Sequence, residues 1–148
     1  MNSFYEPARV DEVTQRMERL RPDTQPLWGK MNPAQALAHC STAMEMAVGK
    51  IHPPRMFIGR ILGPLVKRKV LAGPMSRNAP TAKILVVADQ RDLAAERERL
   101  RSLVAQFAAA GPQGCTTHPH VFFGNLTPDE WAALMYKHVD HHLQQFGV

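Results

Sequence analysis

His138 and His142 are four residues apart in Lys137-His-Val-Asp-His-His142. On an α-helix such a pair stacks on one face, close enough for both imidazoles to reach one metal ion. The segment opens with strong helix-start signals: Thr127 as N-cap, Pro128 at the first helical position, then Asp129 and Glu130 against the positive end of the dipole. At roughly 100° per residue, Trp131, Met135, His138, His142 and Phe146 share one apolar arc, with Lys137, Asp140 and Gln144 opposite. The two histidines therefore point inward. There an imidazole needs a partner for both ring nitrogens, which a metal site supplies more readily than a pair of carbonyls. His141 sits about 60° from His138 and about 100° from His142, at the rim of the stripe, so the three cannot converge on one ion. That position suits a group beside the metal, a cavity wall or the surface, and makes His141 the nearest candidate for a catalytic base.

A working metal site needs at least three protein ligands. His39 falls at the edge of the apolar arc of an earlier helix, flanked by the small Ala36 and Ala43. Glu45, on the other edge of that helix, is an alternative oxygen ligand. His118 and His120 form an H-x-H in the loop leading to the last helix, about three turns from His142, and are expected at most at the rim. His52 precedes two prolines in a connector and has no assigned role. Cys40 and Cys115 lack CxxC spacing and read as reduced thiols, Cys40 as inert packing.

The elements that must position these residues read as four main helices, at about residues 10–20, 33–48, 89–110 and 128–146. Asn32 and Pro33 start the second, and Gly49 ends it. Leu93, Leu100, Leu103, Val104 and Phe107 form the apolar stripe of the third. Residues 50–88 are a long connection holding an extra short amphipathic helix, expected to kink or split at Gly63-Pro64. A run at 83–88, Lys-Ile-Leu-Val-Val-Ala, could be extended. One long connection among short ones predicts an all-α, four-helix bundle with a crossover between its second and third helices. The 148 residues suit a single domain.

With 45% hydrophobic and 21% charged residues, the composition is that of a globular protein. No apolar run approaches the ~20 residues of a spanning helix, and the N-terminus lacks the regions of a signal peptide. The expectation is a cytoplasmic protein with no membrane partner. A net charge of +5 raises nucleic-acid binding, but the basic residues are spread along the chain. The one tight cluster, Lys67-Arg68-Lys69, has no interleaved aromatics and reads as a solvated face.

His39 within Asn32-Pro-Ala-Gln-Ala-Leu-Ala-His39, followed about 100 residues later by His138-Val-Asp-His-His142, resembles the three-histidine pattern of the DinB/YfiT-like metalloprotein superfamily. The ending Phe123-Gly-Asn-Leu-Thr-Pro-Asp-Glu-Trp131 and the helix after it are similar to a short bacterial branch of that superfamily, named only as a domain of unknown function. The resemblance implies a down-up-up-down four-helix bundle, a homodimer, and a divalent metal held by His39, His138 and His142. It also implies activity on a small-molecule substrate, since characterised relatives include thiol-dependent S-transferases and a maleylpyruvate isomerase. A thiol cofactor is implied by those relatives alone. Leu143 and Gln144 stand where many members carry a basic residue and a glycine, so no residue here supports it. Zinc and nickel both accept imidazole. The expected function is a metal-dependent transferase or hydrolase; the alternative is a non-catalytic, metal-stabilised binding or stress-linked module.

Overall fold

The computed structural model describes residues 2–148, which are all-helical, with no strand among them. Five α-helices follow in order: α1 (Pro7–Met17), α2 (Pro33–Ala47), α3 (Phe57–Ala72), α4 (Leu93–Ala110) and α5 (Pro128–Gln145). Single 3-10 turns lie at Lys83–Leu85 and Gly111–Gly114.

The helix starts follow the local chemistry. At α2 the Asn32 side chain accepts from the Gln35 amide at 2.9 Å while Gln35 Oε1 accepts from the Asn32 amide at 3.0 Å, a reciprocal capping box. Thr127 and Glu130 repeat the device at α5. Helix α4 starts at Leu93, later than the Asp89 expected, because Asp92 is the residue that caps it, accepting from the Ala95 amide at 2.8 Å.

Helix α2 is the central element. It packs against both α4 and α5, while α1 also touches α4 and α5. Buried side chains therefore occur nearly all round α2, from Ala34 and Leu37 to Met44 and Met46. They join Leu100, Leu103, Val104 and Phe107 of α4 and Trp131, Met135 and Leu143 of α5 in one core.

Helix α3 differs from the expectation. It runs unbroken through Gly63-Pro64 rather than splitting there. Its inner face carries Gly59 and Gly63, and a Cβ at either would collide with the backbone of Phe122. The glycines thus allow helix and loop backbones to touch. Among the helices α3 packs only on α5. Lys137 of α5, expected on the solvent side, instead donates to the carbonyls of Val70 (3.0 Å), Leu71 (2.5 Å) and Gly73 (3.0 Å) at the C-terminus of α3. The 83–88 run is not extended as a whole: it holds the 3-10 turn and pairs with no strand.

Candidate metal centre

His39 lies midway along α2, and His138 and His142 occupy successive turns of α5 where the two helices pack. Their side chains converge. The Nε2 atoms of His39 and His138 are 2.8 Å apart. The ring centroids of His39 stand 4.7 Å from those of both His138 and His142, which are themselves 5.0 Å apart. Each of the three offers a ligand nitrogen, all within 4.8 Å of one another, so the group could hold a metal ion. Nitrogens bound to one zinc ion at about 2.1 Å stand roughly 3.4 Å apart. That spacing falls between the closest pair and the outer limit of the triad.

Two hydrogen bonds set the ring orientations. His39 Nδ1 lies 2.8 Å from the Leu85 carbonyl oxygen. A carbonyl can only accept, so the proton of a neutral His39 sits on Nδ1 and its Nε2 lone pair faces His138 Nε2. His142 Nδ1 lies 2.8 Å from Gln145 Oε1. The orientation of that amide is fixed in turn, because Gln145 Nε2 donates to the Trp28 carbonyl at 2.6 Å. His142 therefore also presents a bare Nε2. A ligating histidine that donates its other N–H to a carbonyl or amide oxygen is the usual outer support of a metal site. Gln145 and the Leu85 carbonyl are the functional groups that the sequence reading missed. Gln145 had a signal, three residues after His142 on the same face; the backbone carbonyl had none.

Burial keeps all three rings neutral. His138 is held well below the usual imidazole range by desolvation first and by the neighbouring His39 and His142 next. His142 is pushed down to about 3, by burial and then by His39, with the Gln145 bond opposing. His39 is lowered by burial, against the opposing bond to Leu85. Neutral imidazole is the ligating form, so the donor set suits a divalent ion such as zinc or nickel.

The other candidates are elsewhere. Glu45 does not join the group; it forms an ion pair with Arg99 of α4 at 2.9 Å. Asp140 pairs with Arg16 of α1 at 2.7 Å. His120 is buried, its Nδ1 accepting from the amides of Phe122 and Phe123 at 3.1 Å each, so it locks the loop that α3 leans on. His118 and the exposed His52 face each other at 4.9 Å between two connectors. Cys40 is fully buried and its thiol is pushed up by desolvation, consistent with packing.

His141 is half-buried, its ring 5.2 Å from that of His142 and 5.4 Å from Trp28. It lines a cavity of about 890 Å³ between α5 and the end of α3, with Trp28, Arg77, Tyr136 and Gln144. The Arg77 guanidinium lies 4.2 Å above the Trp28 ring. The triad itself does not line this cavity, so His141 stands between the two. Burial lowers its affinity for a proton, with Asp140 opposing and Arg77 and His39 adding to the effect.

No curated protein and no solved structure matches this chain. A family model does match over residues 6–147, and by it the chain belongs to DUF1569, a family described as a protein of unknown function.

Proposed function

We propose that this protein holds a divalent metal at His39, His138 and His142 in a DinB/YfiT-like four-helix bundle, and acts as a metal-dependent transferase or hydrolase on a small molecule. The observation that carries the reading is the convergence of three neutral imidazoles, two of them fixed with Nε2 inward by Leu85 and Gln145. The packing of α1, α2, α4 and α5 on one another supports the bundle, with residues between α2 and α4 as the crossover.

An ion held by three neutral ligands keeps its full positive charge and supplies Lewis-acid activation of a water or a thiol. The chain provides the rest. Trp28 and Arg77 offer a flat apolar surface and a cation on the cavity wall, suited to a small substrate with an acidic group. His141, between the cavity and His142, is placed to accept or return a proton. The burial of His39 and His138 favours a second reading, a metal that stabilises the helices without turnover.

The deciding measurement is metal content by mass spectrometry on untagged protein never exposed to a nickel column, beside His138→Ala. About one ion per chain, lost in the variant, supports the centre and directs a screen of thiol-transfer and hydrolysis substrates. Metal-free protein whose melting is unchanged by added zinc or nickel would refute it. A bound metal with no turnover, and activity in no His141-dependent reaction, would favour the second reading.

A further inference from the structure

The acidic residues of this chain are unevenly placed. Of its 18 lysines and arginines and 13 acidic residues, eight basic and no acidic residues fall between positions 46 and 88. The remainder of the chain is net acidic, so the whole positive excess lies in the connection that carries α3. On α3 the face opposite Gly59 and Gly63 is apolar and open: Phe57 is 77% exposed, Ile61 63% and Leu65 72%, at successive four-residue intervals, with Ile58 and Leu62 beside them. Lys67 is engaged by Glu130 at 3.0 Å, whereas Arg60, Arg68 and Lys69 have no ion-pair partner among the described residues.

We propose that the outer face of α3 docks on an anionic membrane surface, with Phe57, Ile61 and Leu65 entering the headgroup boundary and Arg60, Arg68 and Lys69 meeting the lipid phosphates and carboxylates. An apolar stripe flanked by basic residues on a helix that lies flat is the form such contacts take. No helix here is long and apolar enough to cross a membrane, and a surface contact needs none. The charge selects the occupant. A second copy seated two-fold on the same face would bring two sets of Arg60, Arg68 and Lys69 to one seam, where α3 has no acidic residue to offset them. Nucleic acid would satisfy the cations but leave five large apolar side chains without a use. The glycine contact with Phe122 holds α3 close to the body, so the face is presented on a fixed support.

The test is co-sedimentation of the full-length protein with phosphatidylcholine vesicles, with and without phosphatidylserine. The expected result is retention by the phosphatidylserine vesicles alone, weakened by salt, and lowered at least about tenfold by Ile61→Asp with Leu65→Asp, and likewise by Arg68→Glu with Lys69→Glu. Both pairs leave α3's glycine face intact, and an unchanged helical circular-dichroism spectrum verifies folding; the second pair serves should the first fail to fold. Equal retention by both vesicle types, or none, overturns the proposal. So does a dimer that Ile61→Asp dissociates in the absence of vesicle binding, or duplex DNA binding that Ile61→Asp with Leu65→Asp leaves untouched in that absence.

Discussion

Gln145 is the residue on which the tautomer of His142 depends. Its Nε2 is committed to the Trp28 carbonyl, which leaves Oε1 to hold the His142 Nδ1 proton. Gln145→Leu keeps the apolar volume and removes the acceptor, so metal affinity should fall about 10- to 100-fold, read by competition with a coloured chelator. His120 yields a pH prediction. Desolvation lowers its proton affinity from the ordinary 6.5 to about 4, and protonation at Nδ1 would also displace two backbone donors. The unfolded chain therefore binds a proton between these values that the folded chain refuses. Stability is full above 6.5 and falls as pH drops toward 4, by about 3 kcal/mol from this residue. Urea midpoints across that range should show the loss, and His120→Asn, whose amide oxygen can accept the same bonds, should lessen it. At this scale the sequence was informative where a side chain had a period: the four-residue spacing of His138 and His142 put both on the buried face. It was silent on Leu85, whose contribution is a carbonyl that every residue carries.

The glycines of α3 set its seat. In most helices a Gly→Ala change stabilises by about 1 kcal/mol. At Gly63 the new methyl would meet the Phe122 carbonyl oxygen, with backbone rather than a flexible side chain opposing it. Overpacking of that kind costs roughly 1–3 kcal/mol, so Gly63→Ala should be net destabilising, by up to about 2 kcal/mol in chemical denaturation. The caps were legible: Asn32 with Gln35 and Thr127 with Glu130 are local patterns, and both boxes form. The start of α4 was less so, because Asp89 and Asp92 are both acceptable caps by type and only Asp92 meets an amide. The β-branched run at 83–88 suggested an extended segment. With no neighbouring strand to pair it, its backbone turns instead and offers a carbonyl to His39. Gly63-Pro64 suggested a kink or a split, and α3 does not split there.

For the molecule as a whole, a metal that binds the folded chain and not the unfolded one adds to its stability by mass action. At free metal about a thousandfold above Kd that is about 4 kcal/mol, a rise in Tm on the order of 10 °C for a chain of this size. Chelator should remove the rise from the natural protein and do nothing to His138→Ala. The charge pattern was on view in the sequence as a net value, but its meaning depended on knowing which face of α3 is open.

The bond from His39 to Leu85 has one further consequence. Leu85 belongs to neither helix that carries the triad; it sits in the connection between α2 and α4. Loading the centre and ordering that connection are therefore linked equilibria, and whatever factor metal adds to the closed arrangement of the turn, closure adds to the affinity for metal. Amide hydrogen exchange supplies the gauge. Leu85 and Val86, whose amides donate within the turn to Ala82 (2.9 Å) and Lys83 (3.1 Å), should exchange more slowly in metal-loaded protein, while the amides along α1 keep their rates.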